Sequence, residues 1–202
     1  MKVAVEILII LAAYLLGSVP FGYLFTKQLA GINIREHGSG NIGSTNVRRV
    51  AGRKTALYTQ LCDMAKGLFP VAIIMLLQYV RVYPFHPLFI YAVALATILG
   101  HNFSIFLRFN GGKGVNTTLG ASLLLSPIAV LTSVAIYYVV RGSTRYVSLG
   151  SISLAATLVL TGLLIHGITY HTYYLLTCSA LIIIRHIPNI KRLVAGTESK
   201  AE

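Results

Sequence analysis

Long apolar runs separated by short polar segments dominate the chain. The runs cover residues 3–26, 55–80, 88–107, 115–140, 147–165 and 168–184. A helix needs about 20 apolar residues to cross about 30 Å of hydrocarbon, so each run is close to the length of a membrane span. The pattern predicts an all-α integral membrane protein in which residues 1–202 form a single transmembrane domain, with its chemistry confined to the polar segments.

The first run begins like a secretory signal peptide, because Lys2 precedes a stretch of apolar residues. Two features argue against cleavage. Glu6 interrupts the start of the apolar region, and the run continues to Phe25, which is longer than the apolar core of a signal peptide. We therefore expect the run to be the first span, kinked near Gly17 and Pro20.

The positions of Lys and Arg predict how the chain is threaded. The segment between the first two runs carries Lys27, Arg35, Arg48, Arg49, Arg53 and Lys54. The positive-inside rule puts this segment in the cytoplasm and the N-terminus outside. A single span over residues 115–140 would then put the basic C-terminal tail outside. A break at Ser126-Pro127 gives seven transmembrane helices with a cytoplasmic C-terminus, and a re-entrant hairpin is the alternative for the two short halves.

Composition narrows the classes of function. Hydrophobic residues make up 55% of the chain and charged residues only 11%, with a formal net charge of +12. The basic residues alternate with apolar runs, so they indicate anionic lipids and anionic substrates as partners, and no nucleic acid. The five acidic residues are too dispersed for a metal site, and Cys62 and Cys178 are predicted to be packing residues. We expect neither metal nor cofactor.

The first glycine segment (residues 38–49) reads GSGNIGSTNVRR. Its Gly38, Gly40 and Gly43 match a dinucleotide fingerprint, but no strand precedes them and a membrane helix follows. Glycines with this spacing let backbone amides curl around an anion, and Arg48 and Arg49 can pair with phosphate. Further donors are Ser39, Asn41, Ser44, Thr45 and Asn46. The alternative is a flexible loop on the membrane surface.

Three further polar segments follow on the same predicted side. The second glycine segment (residues 108–116) holds Lys113 between Gly112 and Gly114, which suits an anion but lacks the remaining residues of a P-loop. The third and fourth segments carry Arg141, Arg145, Ser148 and Ser151, and Arg185, His186 and Asn189. The basic residues of each segment alone are ordinary for a cytoplasmic loop under the positive-inside rule. Together, the segments could converge on an anionic substrate. His101 reads as structural, and Asp63 and Lys66 as a neutralising pair on one helix.

These motifs, from LLGSVPFG through GSGNIGSTNVRR, GHNF, GGKGV and YVSLGSI to the His186-x-x-Asn189 ending, resemble the acyl-phosphate-dependent glycerol-3-phosphate acyltransferases of bacterial membranes, the PlsY family. The resemblance implies seven helices in the cytoplasmic (inner) membrane, an active site at the cytoplasmic face, and acyl transfer from acyl phosphate to glycerol 3-phosphate in phospholipid biosynthesis. It implies no metal or coenzyme.

The resemblance also implies roles for individual residues. The donor phosphate is expected in the first glycine segment, and the implied substrate-binding residues are Ser39, Gly40, Asn41, Gly43, Ser44, Thr45, Asn46 and Gly112. The implied catalytic residues, which hold glycerol 3-phosphate, are Arg49, Lys113, Ser151, His186 and Asn189. The alternative function is a membrane carrier for organic phosphates. Carriers usually have related halves with broken helices near the midplane, whereas here the anion-binding residues lie at one predicted face.

Overall fold

The structure is a computed structural model that describes residues 2–201. Over this range the chain is helical and has no strand. The α-helices between residues 2 and 201 are α1 (Lys2–Ser18), α2 (Phe21–Ala30), α3 (Ser44–Tyr79), α4 (Phe89–Asn102), α5 (Val115–Leu123), α6 (Pro127–Thr144), α7 (Val147–His166), α8 (Tyr170–Arg185) and α9 (Ile187–Val194). Two short 3-10 helices cover Ile34–Glu36 and Ile105–Leu107. The chain divides into two compact units, one up to Leu124 and one from Leu125 onward.

Four stretches of the described chain are long and apolar enough to cross a membrane. They are Lys2–Ala30, Ser44–Tyr79, Phe89–Leu107 and Val147–His166. The all-helical prediction is thus confirmed, and these stretches agree with a multi-pass membrane protein. The seven spans, the sides of the two termini and the single domain stay predictions.

Proline sets three of the helix boundaries. The kink expected near Gly17 and Pro20 is a complete break, since α1 ends at Ser18 and α2 begins at Phe21. The predicted split at Ser126-Pro127 is confirmed, because Pro127 is the first residue of α6. Pro188 lies in the first turn of α9, where a missing N–H removes no helical hydrogen bond.

One boundary was wrong. The first glycine segment was expected to be a polar loop up to a helix near residue 55, but α3 already begins at Ser44. Gly52 interrupts this helix with φ 80° and ψ 176°, angles that other residues rarely adopt. The residues from Ser44 to Arg49 are therefore helical, and only the part before Ser44 is a loop.

Glycines allow the helices of the first unit to pack closely. Helix α1 packs against α4, and a Cβ atom on Gly17 would overlap the backbone of Thr97. Helix α3 packs against α5, where a Cβ on Gly67 would overlap the backbone of Thr117 and one on Gly120 that of Met64. Small residues are a common way to bring helices together inside membranes. These glycines place the first turns of α5 against the middle of α3.

A buried charge cluster joins three parts of the first unit. Lys66 Nζ lies 2.9 Å from Asp63 Oδ1 and donates a hydrogen bond of 2.9 Å to the carbonyl of Val19. The Nδ1 atom of His101 lies 3.5 Å from the same Asp63 oxygen. All three ionisable side chains are buried. The predicted pairing of Asp63 with Lys66 is confirmed, and Lys66 additionally caps the carbonyl next to the α1–α2 break.

The second unit is built on α7, which packs against both α6 and α8. Its buried side chains include Leu154, Leu158, Leu175 and Ile182. The hydroxyl of Ser179 on α8 donates a hydrogen bond of 2.7 Å to the carbonyl of Ala155 on α7. Cys178 is buried in this unit and Cys62 is partly buried in the first, and both thiols are free, so their reading as packing residues is confirmed.

Replacement of Gly120 by leucine should destabilise the protein, because its side chain would have to push apart the backbones of α3 and α5. Overpacking of this kind costs about 1 to 3 kcal/mol or more. The thermal unfolding midpoint of detergent-purified protein measures the effect. Gly142→Leu is the matched control, since nothing lies within 4 Å of a Cβ added there. Equal midpoints for the two variants would show that the α3–α5 contact does not need a glycine.

Candidate functional site

Asn46 organises the first glycine segment from the first turn of α3. Its side chain is 2% exposed. Its Nδ2 atom donates to the carbonyls of His37 at 3.0 Å and Asn41 at 2.9 Å, and its Oδ1 atom accepts the N–H of Ser39 at 3.0 Å. One amide therefore holds both sides of the loop, which explains why a loop so rich in glycine is ordered.

The loop leads directly into the N-terminus of α3. Asn41 Oδ1 accepts the N–H of Gly43 at 2.8 Å, and Gly43 is the residue that caps the helix. The first N–H groups of a helix have no acceptor within the helix and carry a partial positive charge. The loop, which is rich in glycine and hydroxyl groups, therefore ends at the helix N-terminus formed by Ser44 and Thr45. This arrangement favours the binding of anions.

The second glycine segment is fixed to the end of α4. The N–H of Gly112 donates to the carbonyl of His101 at 3.0 Å, and that of Gly111 to the carbonyl of Asn102 at 3.2 Å. A Cβ atom on Gly112 would overlap the imidazole ring of His101. His101 therefore has the structural role predicted for it, and it sets the backbone that carries Lys113.

Lys113 stands at the start of α5. Gly114, with φ 79°, is the residue that caps this helix, and the lysine side chain is half-buried. Asn116 in the first turn of α5 donates a hydrogen bond of 3.2 Å from Nδ2 to the hydroxyl of Ser44. The first unit thus brings the two glycine segments together, as the sequence predicted, at the paired N-termini of α3 and α5.

Arg48 and Arg49 add positive charge on the second turn of α3. The Arg48 side chain is half-buried and the Arg49 side chain is exposed. Two helix N-termini, a lysine and two arginines in one unit produce a positive potential with many directional donors. Such a site can bind a phosphate group and can stabilise negative charge that develops during a reaction.

The second unit holds the remaining predicted residues. Ser151 lies in the second turn of α7, where its buried hydroxyl donates to the carbonyl of Val147 at 3.0 Å. His186 lies between α8 and α9 and is buried, with Nδ1 2.8 Å from the carbonyl of Ile182. Because a carbonyl only accepts, Nδ1 carries the proton, so Nε2 can donate to an anion only when the ring is protonated.

Sequence reasoning missed Glu198 as a neighbour of these residues. Its Oε1 atom accepts a hydrogen bond of 2.6 Å from Asn189 Nδ2, and its Oε2 atom lies 2.7 Å from Arg192 Nε. Burial raises the pKa of Glu198, but hydrogen bonds led by that of Asn189 bring it below its ordinary value. The spacing of Asn189 and Arg192 puts both on one face of α9, but no local pattern connects that face to Glu198.

The predicted site residues therefore form two groups. The loop residues from Ser39 to Asn46, together with Arg49, Gly112 and Lys113, belong to the first unit. Ser151, His186 and Asn189 belong to the second. The described residues contain no cluster of three potential metal-ligating side chains.

Comparisons with known proteins cover almost the whole chain. The glycerol-3-phosphate acyltransferase family matches residues 7–196. The glycerol-3-phosphate acyltransferase of Clostridium acetobutylicum is 43% identical over 96% of this chain and 98% of its own length. That of Trichlorobacter lovleyi is 46% identical over 95% of this chain and 95% of its own.

Two solved structures are also similar. The crystal structure of PlsY (YgiH), an integral membrane glycerol 3-phosphate acyltransferase, in its glycerol 3-phosphate form has a TM-score of 0.86 and 35% identity, and covers 98% of this chain and 96% of that one. Its lysophosphatidic acid form has a TM-score of 0.83 and 35% identity, with coverage of 96% and 94%.

The role of Asn46 in ordering the loop can be tested by Asn46→Asp. The substitution replaces an amide that donates to two carbonyls by a buried carboxylate facing them, which we expect to cost at least about 2 kcal/mol. The unfolding midpoint in detergent should fall by about 4 to 8 °C. Asn110→Asp is the control, because the exposed Asn110 donates only to the carbonyl of Arg108. A similar small change in the unfolding midpoint for both variants would refute the role of Asn46 in ordering the loop.

Proposed function

The chain belongs to the glycerol-3-phosphate acyltransferase family, and we propose that it takes the fatty acyl group from an acyl phosphate and transfers it to the 1-hydroxyl of glycerol 3-phosphate. The products are lysophosphatidic acid and inorganic phosphate, and the reaction belongs to phospholipid biosynthesis. One observation carries this proposal. The N-termini of α3 and α5, each preceded by glycines, are joined by the hydrogen bond between Asn116 and Ser44, and Lys113 directly precedes α5.

The donor phosphate binds in the loop from Ser39 to Asn46. Two properties of the loop support this assignment. It is ordered by Asn46 and it ends at the N-terminus of α3, so it suits a compact phosphate group. A nucleotide-carrying donor such as acyl-CoA would need a base and ribose site, and the dinucleotide-like spacing of Gly38, Gly40 and Gly43 lacks the preceding strand that such a site requires.

We propose acceptor binding for the residues that the resemblance of the motifs implies, which are Arg49, Lys113, Ser151, His186 and Asn189. The first two belong to the first unit and the other three to the second, and each carries a hydrogen-bond donor. A cation and a phosphate form charge-assisted hydrogen bonds that are stronger than neutral ones. His186 contributes to acceptor binding through Nε2, because Nδ1 is already committed to the carbonyl of Ile182.

The site works at the cytoplasmic face of a bacterial inner membrane, with seven spans and an outside N-terminus. The support for this orientation is the accumulation of Lys and Arg in the segments that carry the site residues. Membrane lipids surround the apolar helix faces, and the acyl chain of the donor reaches the site from them.

We expect direct transfer between the two substrates. The 1-hydroxyl oxygen attacks the acyl carbon, the bond from that carbon to the phosphate oxygen breaks, and the hydroxyl proton passes to the departing phosphate. Alignment of two bound reactants can lower the barrier by about 7 to 11 kcal/mol, and a well-directed oxyanion donor contributes about 2.7 to 4 kcal/mol. An activated mixed anhydride therefore does not require a side chain as general base.

Lys113→Ala and Arg49→Ala should each raise the KM for glycerol 3-phosphate at least about tenfold, because a charge-assisted hydrogen bond contributes about 1.5 to 3 kcal/mol. Lysophosphatidic acid formation by purified protein measures the change. Lys54→Ala is the control, since Lys54 is an exposed cation of α3, the helix that carries Arg49. Normal kinetics for folded Lys113→Ala would reduce Lys113 to an interfacial anchor, and a wild-type protein that forms no product would favour a carrier.

The donor can be identified with purified protein and glycerol 3-phosphate alone. We expect product with palmitoyl phosphate, none with palmitoyl-CoA, and the same rate after addition of EDTA. The reason is that amides, hydroxyls and cations hold both phosphates. Turnover with palmitoyl-CoA as the sole donor would contradict the donor assignment, and loss of activity with EDTA would contradict catalysis without a metal.

A further inference from the structure

The C-terminal tail folds back onto the second unit after α9. The turn begins at Gly196, with φ 68°, and the N–H of Thr197 donates to the carbonyl of Arg192 at 2.8 Å. Further along, the N–H of Ala201 donates to the carbonyl of Arg145 at 2.6 Å. The ammonium group of Lys200 lies 5.7 Å from the centre of the Tyr146 ring. The tail is therefore held at α9 and also at the turn between α6 and α7.

These contacts insert the Glu198 carboxylate into a cluster of donors. Only 7% of this side chain is exposed. One oxygen accepts from Asn189 at 2.6 Å and the other from Arg192 at 2.7 Å. Burial raises the pKa of Glu198, but the hydrogen bonds lower it by more, so the carboxyl group is ionised at neutral pH. An anion already occupies the space between these two donors.

The same cluster includes a third donor. Ser148 on α7 is 4% exposed, and its hydroxyl lies close enough to Glu198 to help lower the pKa of that carboxyl. Three polar side chains, those of Ser148, Asn189 and Arg192, are therefore directed at one anionic group. A carboxylate has two oxygens, whereas a phosphate monoester has three terminal oxygens.

We infer that Ser148, Asn189 and Arg192 form a seat for the phosphate of a phosphate monoester, and that Glu198 fills this seat as an intramolecular competitor. The inference rests on the proposed function, which assigns Asn189 to the acceptor. The neighbours of the seat agree with it. Ser151 follows Ser148 by one turn on α7, and His186 precedes Asn189 by one turn at the start of α9.

Competition follows from charge and from the tethering of the tail. Glu198 and a phosphate cannot bind Asn189 and Arg192 at the same time. Both anions need the same donors, and two negative charges so close together repel each other. A tethered competitor lowers the fraction of protein that can bind the ligand, and the apparent affinity falls by that fraction. The docked tail therefore raises the glycerol 3-phosphate concentration that the enzyme requires, without any change in the chemical step.

The test compares the full chain with Glu198→Gln, which keeps the size of the side chain and removes its charge. We expect the KM for glycerol 3-phosphate to fall at least about threefold, with kcat and the KM for acyl phosphate unchanged. A chain ending at Ala195 should show the same decrease. Thr197→Ala is the control, because it lies beside Glu198 and its exposed hydroxyl makes only a 3.5 Å contact to Arg192. Ser148→Ala added to Glu198→Gln should abolish the gain.

Calorimetric titration with glycerol 3-phosphate separates this inference from the proposed function. Tighter binding by Glu198→Gln than by the wild-type protein is expected whether or not the preparation turns over. Binding that is unchanged or weaker in both Glu198→Gln and the shortened chain would overturn the inference, since Glu198 would then be neutral or would position Asn189. A wild-type protein that binds glycerol 3-phosphate but forms no product with acyl phosphate would contradict the proposed function alone.

Discussion

The buried contact between Lys66 and the carbonyl of Val19 supports much of the first unit. Pro20 ends α1, and the carbonyl of Val19 accepts the N–H of Phe21 at 3.2 Å in place of a regular helical hydrogen bond. Backbone groups that lose their helical partners are costly where no water is available. Lys66 donates to the same carbonyl at 2.9 Å, and Asp63 neutralises the lysine. His101 lies 3.5 Å from Asp63 and accepts the N–H of Gly112. A short series of contacts thus connects the break in the first helix to the backbone next to Lys113.

The same arrangement explains how a mostly apolar chain can build a polar site. Helix α5 can lie against the middle of α3 because Gly67 and Gly120 have no side chains, and Ser44 at the start of α3 accepts a hydrogen bond from Asn116 in the first turn of α5. The amides of these two helix N-termini supply directional donors without adding charged side chains to the membrane, where each is expensive. The positive charge of Lys113 and Arg49 is then needed only at the polar end of the helices.

The sequence predicted the parts of this structure that depend on local patterns. Apolar runs located the helices up to α8, Pro127 marked a break, and the three-residue spacing of Asp63 and Lys66 paired them correctly. The start of α3 was missed, because Ser44 and Asn46 read as loop residues although both types are frequent at helix N-termini. Glu198 was missed because its contact with Asn189 depends on a tail that reverses direction at Gly196, which no periodicity encodes.

The excess of positive charge acquires a physical reason from these contacts. Asp63 is committed to Lys66, and Glu198 to Arg192 and Asn189, so the acids of the described chain neutralise few of its 17 basic residues. Such an imbalance destabilises a protein by self-repulsion unless anions offset it. The two anionic substrates proposed for this protein, together with anionic lipids, would do so during turnover. Between turnovers, the Glu198 carboxylate would offset positive charge in the second unit by occupying the donors of α9. The same side chain would therefore stabilise the second unit without ligand and lower its affinity for phosphate.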